Sequence, residues 1–210
     1  MMKHHKGFRT DVFRGHILGT GTSSGIRVVV GIWPLSPLGS FSDCMIAMPD
    51  GQRVLLAPNE AVASYVGSTY SFDEVQIVAV NARVDDEVAV VTAGDLRLTA
   101  DIGRVTMLGR LLGAIPESVS ASTHFARLCD PVARVAMPGV RTVGSAGNGR
   151  QEFYSARQVR AVTGVSGEFG DVDLGALRPV QPSPDFGFSS TPRTPALTAV
   201  TTTVRVPEPA

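Results

Sequence analysis

The segment DEVQIVAVNARVDDEVAVVTAGDLRLTAD, residues 73–101, constrains the chain more than any other stretch. Val75, Ile77 and Ala79 sit two apart, and Leu96 and Leu98 repeat the pattern. Successive strand side chains point to opposite faces, so this period marks half-buried strands. The spacing predicts a three-strand meander at about 74–84, 87–92 and 95–101, with turns at Asp85-Asp86 and Ala93-Gly94-Asp95. The Asp85-Asp86-Glu87 cluster lacks the repeated oxygen spacing of a calcium loop and reads as a solvated turn.

Other stretches extend the β pattern. In GHILGTGTSSGIRVVVG, residues 15–31, Gly19, Gly21 and Gly25 raise the question of a phosphate loop. Such a loop leads into a helix, but Val28-Val29-Val30 are stiff at χ1, and Gly31 and Pro34 follow. A strand, a Ser/Gly turn and a second strand fit better. Asp50-Gly51 between apolar runs marks a further hairpin. Residues 59–66 (NEAVASYV) predict a short helix capped by Asn59.

Residues 104–137 change period. Met107, Leu108, Leu111, Leu112 and Ile115 fall at helical spacing, as do Phe125, Leu128, Val132 and Val135. Two or three short helices are expected, inserted in a β protein. Within 151–162, a spacing of three (Phe153, Ala156, Val159, Val162) competes with strand alternation, and the aromatic and Val content favours a strand. A short edge hairpin is expected near 168–174. The Pro/Ser-rich stretch 178–195 should wrap the surface, and 196–206 should be a strand. Together these predict a mainly β fold, an antiparallel barrel-like or sandwich sheet with a helical insert at 104–137. The domain spans 10–206, after a disordered 1–9 and before a free tail at 207–210.

Charge and composition exclude several functions. The 19 basic and 19 acidic residues balance, which argues against nucleic-acid binding through a basic surface. All the basic residues but Lys3 and Lys6 are Arg. A buried Schiff-base lysine is therefore nearly excluded, because Arg does not deprotonate. The two cysteines, Cys44 and Cys129, form neither a disulfide scaffold nor a zinc motif. No signal peptide or membrane-length apolar run is seen, so a soluble, cytoplasmic protein is expected. No metal or cofactor is expected, since His4, His5, His16 and His124 show no ligand spacing.

The candidate sites are correspondingly modest. In GSAGNGR, residues 144–150, backbone N–H groups around Gly147 could form an anion nest flanked by Arg141 and Arg150. A plain turn at Asn148-Gly149 is the alternative. His16, Glu152 and Tyr154 are acid–base candidates, with Arg157 as electrostatic support. Met107, Leu111 and Phe125 are candidates for lining an apolar ligand cavity. The leading expectation is a non-catalytic module binding an apolar or amphipathic, lipid-like small molecule in a β-barrel cavity, its anionic head on Arg141 or Arg150. The alternatives are an enzyme on the same barrel and a structural protein with a packed core. A peripheral membrane contact and a homo-oligomer stay open as partners.

Overall fold

The computed structural model describes residues 7–113, 143–145, 147–187 and 191–207. Thirteen strands occur among them: β1 (Phe8–Thr22), β2 (Arg27–Leu35), β3 (Phe41–Ala47), β4 (Arg53–Ala57), β5 (Glu74–Ile77), β6 (Val80–Val84), β7 (Val88–Ala93), β8 (Leu96–Val105), β9 (Val143–Ser145), β10 (Gln151–Phe169), β11 (Val172–Asp173), β12 (Leu177–Arg178) and β13 (Ala196–Pro207). Two helices, α1 (Glu60–Gly67) and α2 (Met107–Gly113), accompany them. The fold is mainly β, a curled sheet in the order β5-β4-β3-β2-β1-β13-β10-β8-β7-β6 that forms a half-barrel.

The local signals explain most of the elements. Residues 23–25 make the turn between β1 and β2, with Gly25 at φ 84°, a conformation that glycine adopts without strain. Gly51, at φ 95°, serves the β3–β4 hairpin in the same way. Asn59 caps α1 by accepting the Val62 N–H at 3.0 Å. Residues 151–162 are strand, and Glu168-Phe169 pair with β11.

Three expectations are corrected. The expected strand at 74–84 is two strands: β5 pairs in parallel with β4, and β6 pairs with β7 at the opposite end of the sheet. The Val78 N–H, between them, bonds Ala57 O. Phe8 and Arg9 are not disordered, because β1 pairs with β13 from Phe8↔Pro207 onward, which also brings Pro207 out of the free tail. Arg104 and Val105 complete β8, so helix begins only at Met107. Residues 114–137 of the expected helical insert lie outside the described residues.

Two apolar clusters back the sheet. Inside the curl, Leu18, Val28, Val30 and Cys44 pack against Val91 and Leu98 from the far strands. On the other face, Ile17, Val29 and Leu55 pack against Val62 and Val66 of α1 and against Phe186. Each buried Val contributes roughly 1.5–3 kcal/mol, so a two-turn helix of marginal intrinsic stability is held by its buried stripe.

One irregularity decides where the functional groups face. The β10–β13 register shifts between Ala156 and Gln158. The extra residue, Arg157, flips the residues that immediately follow it to the other side. Glu152 and Tyr154 therefore face α1, whereas Gln158 and Arg160 face into the curl. Among the described residues, no helix is long and apolar enough to cross a membrane.

Candidate functional site

Where α1 crosses the sheet it leaves a cavity of ≈ 50 Å³. Strands β1, β2 and β3 contribute Phe13, Trp33, Phe41 and Asp43, while β10 and β13 contribute Glu152, Tyr154 and Thr202. The end of α1 and the chain after it close the roof with Tyr65, Thr69 and Tyr70. Ring packing fixes one wall, since Phe13 meets Trp33 edge-on at 5.7 Å and Phe41 edge-on at 6.4 Å.

At one end, the Tyr70 hydroxyl lies 3.1 Å from each Glu152 carboxylate oxygen and 2.6 Å from the Tyr154 hydroxyl. Glu152 is 2% exposed. Burial pushes its carboxyl up to about 7, against the opposing pull of the Tyr70 hydrogen bond and the Arg150 charge. The same burial, with Glu152 beside it, holds the Tyr70 hydroxyl protonated well above its ordinary range. This is a carboxyl that titrates near neutrality, bonded to a Tyr70 phenol that stays protonated.

Across the cavity, Asp43 is also fully buried and pushed up to about 7 by desolvation. Its side chain accepts from Trp33 Nε1 at 3.2 Å. Gly31 makes that bond possible, because a Cβ there would strike both Trp33 Nε1 and Asp43 Oδ1. The Thr202 hydroxyl is buried and has no hydrogen-bond partner among the described residues. It sits directly across the strand pair from Tyr154. No Lys, Arg or His lines the cavity.

Sequence-expected residues divide between two places. Glu152 and Tyr154 come together as the alternation implied. His16 does not join them. It lines a separate cleft of ≈ 650 Å³ in the mouth of the half-barrel, with Arg160, Gln158, Asp85 and Asp86, and burial lowers its pKa. Arg157, the bulge residue, is half-buried.

Arg150 is engaged structurally. It donates to Tyr65 O at 3.0 Å and Thr69 Oγ1 at 2.6 Å, and lies 4.6 Å over the Tyr65 ring. Gly147 opens a single 3-10 turn in which Asn148 and Gly149 take φ 57° and 72°. Met107 is 80% exposed and Leu111 61%, and neither lines the cavity or the cleft. Helix α2 turns these side chains outward while Gly109 packs against Val159 backbone. Phe125 and Arg141 lie outside the described residues. Among the described residues, no three His, Cys, Asp or Glu converge to hold a metal.

Asp43, Tyr70 and Thr202 were missed from sequence. A signal existed for Asp43 alone, an acid inside the apolar run FSDCMIA.

No family model and no curated protein matches the sequence. Among solved structures, acetoacetate decarboxylase from Legionella pneumophila is similar over 99% of this chain and 88% of its own, with TM-score 0.43 and 10% identity. A second acetoacetate decarboxylase structure is similar over 96% and 88%, with TM-score 0.42 and 10% identity.

Proposed function

We propose that the cavity under α1 is an acid–base catalytic site for a small, uncharged carbonyl compound. The observation that carries this reading is Glu152, a buried carboxyl titrating near 7 in a cavity and hydrogen-bonded to Tyr70. A group with that pKa serves as base and then as acid at neutral pH. The small volume limits the substrate to a few heavy atoms, and two buried carboxyls with no cation in the lining disfavour an anion.

In this scheme the Glu152 carboxylate removes a proton from the carbon next to the carbonyl. The C–H electron pair forms the new C=C bond, and the carbonyl π pair moves onto oxygen. The Thr202 hydroxyl, unpartnered among the described residues, donates to that oxygen, whose charge grows in the transition state. Returning the proton from Glu152 to carbon completes an exchange or an isomerisation without a co-reactant.

The test follows deuterium uptake into acetone by proton NMR in D2O. Wild-type protein is expected to accelerate exchange, with a rate rising through pH about 7 and falling at least a hundredfold in Glu152→Gln. Equal exchange with the wild type and Glu152→Gln would sink the proposal.

A second reading is favoured by the ≈ 650 Å³ cleft, whose apolar floor (Ile32, Leu197, Ala199) and polar rim suit an amphipathic small molecule held without chemistry. Native mass spectrometry of the freshly purified protein tests it. Excess mass lost on denaturation supports the reading, and a bare mass opposes it.

A further inference from the structure

The β1–β2 turn does not cradle a phosphate through its backbone. Its N–H groups are engaged, with Ser23 donating to Ala176 O, Ser24 to Leu174 O and Gly25 to Thr22 O. The turn nevertheless borders a cleft of ≈ 300 Å³, lined by Thr22, Ser23, Gly25 and Gln181 together with Arg27 and Arg178. Both arginines stand opposite Gly21, one on β2 and one on β12. Residues directly opposite on neighbouring strands leave the sheet on the same face. Their Cα atoms are thus two strand spacings apart, about 10 Å, within reach of two long side chains converging on one group. Gly21 itself permits this closeness, because a Cβ there would strike the Pro179 carbonyl.

The charge state of this cleft is unusual. Arg27 is 7% exposed. Among the described residues its guanidinium makes one hydrogen bond, from Nη1 to Gly25 O at 2.8 Å, and its Nε is buried with no partner. Neither Arg27 nor Arg178 has a carboxylate partner among the described residues, and no acid lines the cleft. Two arginines thus line one cleft, one of them buried, with no counter-charge among the described residues. An oxyanion supplies what is missing, since the planar fork of Arg matches phosphate and carboxylate oxygens bidentately.

We propose that this cleft is an anion-binding site, taking the phosphate or carboxylate group of a small molecule between Arg27 and Arg178. The site lies apart from the cavity under α1 and does not depend on its chemistry.

Inorganic phosphate is the probe, followed by 31P line broadening and by thermal unfolding against chloride at equal ionic strength. Wild-type protein should broaden the phosphate line and melt higher in phosphate than in chloride. Arg178→Gln, at an exposed position that leaves the core untouched, should weaken phosphate binding at least tenfold. Acetate added to the phosphate sample separates the two sources. Competition identifies a site for either oxyanion, and no competition one reserved for phosphate. Phosphate that acts no differently from chloride, or that binds Arg178→Gln as it binds the wild type, overturns the proposal.

Discussion

Replacing Glu152 with Gln should change how stability depends on pH. The Glu152 carboxyl titrates at about 7 in the folded protein against 4.5 for the ordinary group. Between those values the folded state holds a proton that the unfolded chain has released. Stability therefore falls as pH rises through this window, and the loss is complete above the folded value. At about 1.4 kcal/mol per unit, the raised pKa costs the folded protein about 3 kcal/mol at pH 8 relative to pH 4. Gln keeps the shape and still offers Tyr70 an acceptor, but it does not ionise. Glu152→Gln should thus gain about 3 kcal/mol on the wild type between pH 4 and 8. Asp43 titrates in the same window, but it does so in both proteins and cancels in the difference. Urea unfolding followed by fluorescence of Trp33, the one tryptophan, measures both stabilities. A difference that stays constant with pH would refute the burial argument for Glu152.

Three further outcomes follow from the same geometry. Gly31→Ala should destabilise by about 1–3 kcal/mol through overpacking, with a shift in Trp33 emission as its bond to Asp43 is forced apart. Asn59→Ala should cost about 1 kcal/mol by removing the α1 cap, read as a lower urea midpoint and faster amide exchange in 60–67. Cys44 is fully buried and its thiol is pushed well above the ordinary range by burial and the Asp43 charge. In a Cys129→Ser background it should resist a disulfide reagent in native buffer and react once the chain unfolds.

The strands were legible where one face meets the core and the other does not. Val88–Ala93 and Leu96–Val105 show that alternation in their burial. Gln151–Phe169 was ambiguous for a physical reason. The bulge at Arg157 interrupts the period of two, so Phe153, Ala156, Val159 and Val162 imitate helical spacing. His16, on β1, lines the cleft inside the curl while its neighbour Ile17 lines the cavity under α1, so the alternation of β1 itself parts it from Glu152 and Tyr154. Glu152 and Tyr154 were found as neighbours on one strand. Their partner Tyr70 comes from a loop 82 residues away in sequence from Glu152, and only the roof formed by α1 brings it in. Strand order was equally hidden. Nothing in Ala196–Pro207 says that it lies between β1 and β10.

That placement has a consequence for synthesis. Strands β1 to β5 can pair among themselves as they emerge, and so can β6 to β8 with β10, but only β13 joins the two groups. Until residues 196–207 are free of the ribosome, the nascent chain carries two half-sheets whose inner edges, β1 and β10, are open. The stretches that β13 covers, Phe8–Gly19 of β1 and Gln151–Ala161 of β10, then lack that partner, and open strand edges of that kind invite association with other chains. Closing the sheet also pairs Phe8 with Pro207, a contact spanning nearly the whole sequence, which slows the final step. A cell making this protein is therefore expected to need chaperone cover until β13 emerges, and ribosome-bound chains stopped before residue 196 should be captured by a holdase more readily than chains that include residues 196–207 outside the ribosome.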